Sequence, residues 1–469
     1  MTNALWTSAE ISAATGGTAS GDWSADSVSI DSRTMARGAL FIALKGPNFD
    51  GHDYAAAAID AGAAGLLVDH LPDGLAADAP LVLVDDTMTA LSALGAAARD
   101  RTDARVVAVT GSVGKTGTKE ALRAALSVLG DTAASESSYN NHWGVPLSLS
   151  RMPRDSVYGV FELGMNHAGE IGPLSRLVRP HVSIITTIAP AHIEFFDSIE
   201  GIADAKAEIF DGMTGGTAVL NRDNKFFDRL SAAAKKAGVD RVISFGAAED
   251  AEARLISFAA DRQGSNVEAR IGEKRIGYRL NLAGRHHVIN SLAVFAAIDA
   301  LGADLKEAAR GLSELKPLSG RGARHDIKIG DGKFTIIDES YNANPASMAA
   351  SIEALAQFPA NRRIAVLGEM RELGESAQQH HLDLAKILHD SGIDLVFACG
   401  PMTAALIERL AADTQSAHAP DAAALLPIIE NHIQPGDVIM VKGSLASGMR
   451  SVVEGLIALG ETTPQAVNG

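Results

Sequence analysis

Val106-Val-Ala-Val-Thr-Gly-Ser-Val-Gly-Lys-Thr116 is the stretch from which the chain is best read. A β-branched run breaks into a glycine turn, and the turn ends in Gly-Lys-Thr where a helix can begin. Inward-pointing N–H groups, the partial positive charge of a helix N-terminus and a lysine together cradle phosphate. Lys115 supplies the full charge, and Thr116 is placed to offer its hydroxyl to Mg²⁺. The usual pattern, G-x-x-x-x-G-K-[ST], has a glycine where Val109 stands, so this loop is an abbreviated variant. The bland alternative is a structural glycine turn without a ligand.

Working outward, 469 residues are too many for one ordinary domain and suggest about three. Apolar content of 46% allows large cores to be buried. A formal net charge of −16 argues against a nucleic-acid partner, since neutralising phosphates needs a basic face. Cys399 is the only cysteine, which excludes an intramolecular disulfide and a thiolate metal cluster. The first residues read as a short capped helix and not as a signal peptide. No apolar stretch approaches the roughly 20 residues needed to cross a bilayer. The expectation is a cytoplasmic monomer with no membrane insertion.

The pattern predicts an α/β protein of three domains. Residues 1–103 form a small α/β unit, with strands at 38–44, 66–68 and 81–84 and helices at 54–61 and 87–101. Residues 104–317 alternate strands (105–109, 157–161, 182–187, 217–220, 242–245) with helices, the signature of a parallel sheet in a phosphate-loop ATPase-like domain. Residues 318–469 bring fresh strands at 334–338, 364–367, 395–399 and 438–441, predicting a Rossmann-like doubly wound sheet. Ligands of such sheets bind beyond the carboxyl ends of the strands. No long repeat or low-complexity tract interrupts the pattern.

Chemistry-bearing residues fall at those ends. The strand at 157–161 runs into Glu162 and the strand at 182–187 leads to His192, which suggests Mg²⁺ ligands or orienting groups, Glu162 the stronger candidate because Mg²⁺ prefers oxygen; the alternative for His192 is a hydrogen-bonded structural histidine at a strand end. Lys206 lies on the apolar stripe of Ile199, Ile202 and Ile209. It either snorkels to the edge or is desolvated, when a neutral amine can take up CO₂ as a carbamate and contact metal. Asn221-Arg-Asp-Asn224 suits a base or ribose, and Arg321 can reach a phosphate. In the first unit, Asp31-Ser32-Arg33 and the run from Lys45 to His52 sit beside strands, as ligand contacts or as plain turn chemistry. The third unit has polar turns at Asp338-Glu-Ser-Tyr-Asn-Ala-Asn-Pro345, Gly368-Glu-Met-Arg-Glu-Leu-Gly374 and Lys442-Gly-Ser444. Asn344-Pro345 also starts a turn and helix on its own account.

Taken together, these strings resemble the Mur ligase family, ATP-dependent enzymes that form amide bonds in bacterial cell-wall precursors. The likeness spans nearly the whole chain. It rests on Asp31-Ser-Arg33, Asp50-Gly-His52, Thr110–Thr116, Asn140-Asn141, Glu162-Leu-Gly-Met-Asn166, His192, Lys206, His286 to Asn290, Gly320-Arg321, Ser340-Tyr-Asn-Ala-Asn-Pro345 and Lys442-Gly-Ser444. The Ser340–Pro345 string resembles the branch that joins D-alanyl-D-alanine to UDP-N-acetylmuramoyl-tripeptide through an acyl phosphate. Another Mur-type amino-acid ligase or a folylpolyglutamate-synthetase-like enzyme is the near alternative; a nucleotide switch is the distant one. By resemblance, ATP meets Gly111, Ser112, Gly114, Lys115, Thr116, Asp223, Asn290, Arg321 and Asp338. Mg²⁺ meets Thr116, Glu162, His192 and a carbamylated Lys206, and Lys115, Glu162, His192 and Lys206 serve catalysis. The substrates meet Ser32, Arg33 and Lys45, then Asn140 and Asn141, and, for the dipeptide, Tyr341, Asn342 and Asn344. Departures from the family pattern are Gly117, Thr187, His287, Glu339 and Leu445, the last standing where an arginine is usual.

Overall fold

The structure, a computed structural model, describes residues 4–461 apart from Ala77, Ser137, Arg262, Gln263, Ala283 and 411–413. The strand Arg105–Thr110 lies inside a nine-stranded sheet. Its side chains alternate between two cores. Val107 and Val109 face a layer with Leu122, Val160 and Val294, and Val106 and Ala108 face one with Phe161, Ile185 and Ile202. Burial on both faces is why this strand reads as a continuous apolar run.

The sheet order is Thr132–Ala134, Tyr158–Glu162, Arg105–Thr110, Val182–Ile185, Thr217–Asn221, Arg241–Gly246, Ala253–Ala260, Ser265–Ile271 and Lys274–Leu280. The first seven strands run parallel, and the last two extend the sheet as an antiparallel meander. Sequence reading missed this meander and the short edge strand. Ser265–Ile271 buries only alternate residues, so no continuous apolar run marks it. The strand predicted at 182–187 ends at Ile185, because Thr186 and Thr187 turn away to bond the phosphate loop.

The N-terminal unit is a five-stranded sheet ordered Thr18–Ala19, Leu81–Leu83, Gly65–Val68, Ala39–Ile42 and Ser27–Ser29. The expected first helix is Ser8–Thr15, capped by Thr7 with Glu10 reaching back in a capping box. This unit is tied to the central one. Trp6 Nε1 donates to Ser150 O at 2.8 Å, and Arg151 Nε donates to Val28 O at 2.7 Å.

The third unit is a six-stranded sheet ordered Ala323–Ile329, Gly332–Glu339, Asp437–Lys442, Arg362–Leu367, Leu395–Cys399 and Gln415–Ala419. Ala323–Ile329 is an antiparallel hairpin edge, and the other strands are parallel. The two outer strands were not anticipated; both are only partly buried. Among the described residues, no helix is long and apolar enough to cross a membrane.

Candidate functional site

The phosphate loop joins Arg105–Thr110 to the helix Lys115–Ser127. Gly111 and Gly114 have φ of +146° and +86°, values that L side chains rarely adopt. Each glycine also admits a neighbour. A Cβ on Gly111 would lie 1.9 Å from Thr186 Oγ1, and one on Gly114 would lie 2.5 Å from Asn290 Nδ2. Asn290, from the helix Arg285–Ala300, therefore sits directly against the loop.

Ser112 ties the loop down. Its N–H donates to Thr187 O at 2.8 Å, and its hydroxyl donates to Ala189 O and accepts from the Ala189 N–H. Thr186 Oγ1 donates to Val113 O at 2.5 Å. Lys115 Nζ curls over the turn to donate to Gly111 O at 2.8 Å. Burial pushes this ammonium below its usual pKa, and Glu162 opposes the shift. Thr116 is buried at the start of the helix.

Glu162, at the end of the neighbouring strand, is 1% exposed. Its Oε1 accepts from Asn140 Nδ2 at 2.7 Å. Among the described residues its Oε2 is buried with no hydrogen-bond partner, a costly condition for a carboxylate unless a cation meets it. Asn141 uses its side-chain oxygen to accept from Gly144 N–H at the start of the helix Gly144–Ser150.

Lys206 is 1% exposed and does not snorkel. No hydrogen bond or ion pair holds its amine among the described residues. Burial drives its pKa well below the usual lysine value, the charge of Lys115 lowers it further, and Glu208 opposes both. Glu208 is already committed, accepting from Gly169, Ile171 and Gly172 N–H groups at the head of the helix Ile171–Val178. The amine is thus held toward its neutral, nucleophilic form.

His192 has a left-handed backbone, φ 60°, and its Nδ1 donates to Glu372 Oε2 of the third unit at 2.5 Å. That bond holds the Glu372 carboxyl below the usual range. Sequence reading flagged the 368–374 turn but not this partner, because 180 residues separate the pair and no local pattern can encode it.

The hinge between the central and third units, residues 317–321, is pinned by Asp338. Its Oδ2 accepts from Gly320 N at 2.7 Å and Ser319 Oγ, and its Oδ1 accepts from Ser340 N and Oγ. Asp223 is likewise engaged, accepting from the N–H groups of Ala247 and Ala248. Arg321 reaches back to the central unit, donating to Ser138 Oγ at 3.2 Å, and lies over the Tyr341 ring.

Tyr341 and Asn342 are exposed at the mouth of the third unit. Asn344 is 7% exposed, and its side-chain oxygen caps the helix Pro345–Ala356 by accepting from Ser347 N–H. The turn after the strand Asp437–Lys442 fastens this loop: Lys442 Nζ donates to Asn342 O at 3.0 Å, and Ser444 Oγ to Ala343 O at 3.3 Å. Leu445 is 64% exposed and takes no part in that clamp. Of the other departures, Thr187 accepts from Asn224 Nδ2, the His287 ring lies tilted against that of His286 with centroids 4.0 Å apart, and Gly117 has open space beside it.

In the N-terminal unit, Arg33 pairs with Asp31 at 2.7 Å and Lys45 with Asp69 at 3.1 Å. His52 Nδ1 donates to Asp50 at 2.6 Å, and its Nε2 accepts from Asp69 N–H. Ser32 stands between Asp31 and Arg33 in the same turn, and Phe49 and Tyr54 are exposed nearby in sequence.

Three family models match the chain in order: the Mur ligase family catalytic domain over residues 25–99, the Mur ligase middle domain over 109–298, and the Mur ligase glutamate ligase domain over 323–445. The chain is 33% identical to the UDP-N-acetylmuramoyl-tripeptide–D-alanyl-D-alanine ligase of Rickettsia prowazekii, covering 96% of this chain and 99% of that one. It is 36% identical to the ligase of the same name from Escherichia coli, covering 93% and 94%. Among solved structures, the fold is similar to MurF from Acinetobacter baumannii, with a TM-score of 0.83, 32% identity and coverage of 97% and 99%. It is also similar to MurF ligase from Thermotoga maritima in complex with ADP, with a TM-score of 0.76, 26% identity and coverage of 93% and 98%.

Proposed function

The chain belongs to the Mur ligase family, as an ATP-dependent ligase that joins D-alanyl-D-alanine to UDP-N-acetylmuramoyl-tripeptide, and we propose that its residues divide the reaction as follows. The γ-phosphate of ATP lies in the turn of Gly111, Ser112 and Gly114, with Lys115 and the helix N-terminus balancing its charge. A carboxylate oxygen of the tripeptide attacks the γ-phosphorus and ADP departs, leaving an acyl phosphate. The dipeptide's neutral amine then attacks the acyl carbon, and the tetrahedral intermediate expels inorganic phosphate, which carries away the proton the nitrogen loses as the amide forms. Little covalent chemistry falls to the protein, so positioning and charge neutralisation dominate.

The residues present fit a divalent cation, because the buried Glu162 Oε2 has no other partner among the described residues. Thr116, Glu162 and His192 would hold Mg²⁺, which when bound neutralises charge on the transferring phosphoryl group. Lys206 would join them as a carbamate: its neutral nitrogen forms a bond to the carbon of CO₂ and loses a proton, placing an anion beside Lys115. The low lysine pKa is what supports this.

Asn290 and Arg321 flank the nucleotide, while Asp223 and Asp338 act through the loops they hold. Ser32, Arg33 and Lys45 take the UDP-sugar, with Asn140 and Asn141 nearer the peptide. Tyr341, Asn342 and Asn344 shape the dipeptide's place. Elements of all three units come from one chain, which supports activity as a monomer. ATP use and a lone buried thiol support a cytoplasmic location.

The single observation carrying this assignment of roles is the orphaned Glu162 oxygen on the strand beside the phosphate loop. The test is phosphate release from ATP, expected only when the muramoyl-tripeptide and D-alanyl-D-alanine are both present. Release that ignores the dipeptide would overturn the substrate assignment.

A further inference from the structure

The 368–374 loop has no task in the reaction as described, yet it carries an unusual contact. His192 and Glu372 are two of the three non-glycine residues with positive φ among the described residues, at 60° and 62°. Left-handed backbones at such residues are strained and persist where their surroundings hold them. Here each presents its side chain to the other across the boundary between the central and third units. The contact is reinforced on both sides. Glu194 N–H donates to Glu372 O at 3.3 Å, and Ile193 packs against the core of the third unit.

A carboxylate accepting from Nδ1 of an imidazole keeps the proton on that nitrogen and leaves the lone pair on Nε2. Metal-ligating histidines are oriented in this way. Nε2 of His192 makes no hydrogen bond among the described residues. We propose that Glu372 is a positioning residue: the third unit, when docked, seats its carboxylate on His192 Nδ1 and holds the ring with Nε2 free to ligate the divalent cation. The cation site is then complete only while the third unit is in place, so closure and metal binding are one event. This rests on the reading of His192 as a cation ligand.

The experiment measures Mn²⁺ affinity of the full chain by electron paramagnetic resonance, in saturating non-hydrolysable ATP analogue, for wild type, Glu372→Ala, Glu372→Gln and His192→Gln. Glu372→Ala is expected to weaken Mn²⁺ binding about tenfold or more. Glu372→Gln should lose less, since an amide oxygen can still accept from Nδ1, and it serves as the readout if the alanine variant does not fold. The ¹⁵N spectrum of His192, recorded with Mg²⁺ in place of Mn²⁺, should show the Nδ1–H tautomer in wild type and a mixture in Glu372→Ala; the accompanying loss of Mn²⁺ affinity is the change that a merely structural contact would not produce. Unaltered Mn²⁺ affinity in Glu372→Ala, with weakened binding in His192→Gln, overturns the proposal alone. Unaltered affinity in His192→Gln overturns it together with the cation assignment.

Discussion

The guanidinium of Arg321 lies 4.1 Å from the centroid of the Tyr341 ring while one of its nitrogens donates to Ser138 Oγ. One cation thus links the hinge, the loop proposed to meet the dipeptide and the central unit. Its charge also lowers the pKa values of Lys115 and Lys442, in each case behind the larger effect of burial. Arg321→Lys keeps the charge but loses the planar stack, worth about 0.5–2 kcal/mol. Steady-state kinetics should show KM raised for both ATP and D-alanyl-D-alanine. A change confined to one substrate would mean that Arg321 does not bridge the two sites.

Among the described residues Lys115 donates only to the carbonyl of Gly111 in its own loop, so its removal should leave the fold alone. Lys115→Met is expected to lower turnover by ~10³-fold or more, as for loss of a phosphate-clamping charge. Its melting temperature should stay within about 2 °C of wild type, on a scale where ~1 kcal/mol moves a domain by a few degrees.

Gly114→Ala places a β-carbon in a left-handed conformation and 2.5 Å from Asn290 Nδ2. The backbone term alone costs about 1–2 kcal/mol. The expected result is a lower urea midpoint for the central unit and a raised KM for ATP. Gly117→Ala, inside the helix Lys115–Ser127 and clear of atoms from other elements, is the control: it should leave KM for ATP unchanged and, if anything, raise the urea midpoint, because Ala favours a helix over Gly by about 0.5–1 kcal/mol.

Lys206 has a folded-state pKa far below the 10.5 of an unperturbed lysine. Between those two values the unfolded chain binds the extra proton, so native stability rises with pH through that window. Lys206→Met should remove this rise, as read from urea midpoints taken up to about pH 10. Lys206→Ala should lose activity and regain part of it with added short-chain carboxylates. Absence of rescue would make Lys206 a structural lysine.

Lys442 and Ser444 hold the carbonyls of Asn342 and Ala343. Lys442→Met removes a charge-assisted bond worth about 1.5–3 kcal/mol. It should raise KM for D-alanyl-D-alanine by about tenfold or more, since ~1.4 kcal/mol is a factor of ten. KM for ATP should move much less. Leu445→Ala, at a solvent-facing position, should leave both constants unchanged.

Much of the fold was legible because parallel strands are buried on both faces and read as apolar runs between helices. Arg105–Thr110, Leu395–Cys399 and Asp437–Lys442 are of this kind, with nearly every residue buried. Ala253–Leu280 was not legible for the opposite reason: its strands have a solvent face, and their half-buried alternation gives a weaker signal. At the site, the Gly111–Thr116 turn could be read because its chemistry is local, a backbone conformation and a charge within six residues of one another. Asn344 shows how far such reading extends. Its local tendency to start a helix is realised in the cap on Ser347, at the same position where the resemblance places a substrate contact.

The sequence by itself determined the α/β class, the strand, glycine turn and helix around Gly111–Thr116 and the membership of a ligase family, since each is written in contiguous residues. Only the tertiary structure decided the rest. It turned Lys206 from a residue that could snorkel into a sealed amine. It left one oxygen of Glu162 without a partner among the described residues, committed one oxygen of Asp338 to Gly320 and the other to Ser340, and set Glu372 on His192. Burial and pairing are properties of what surrounds a side chain, and those surroundings come from segments tens to hundreds of residues away.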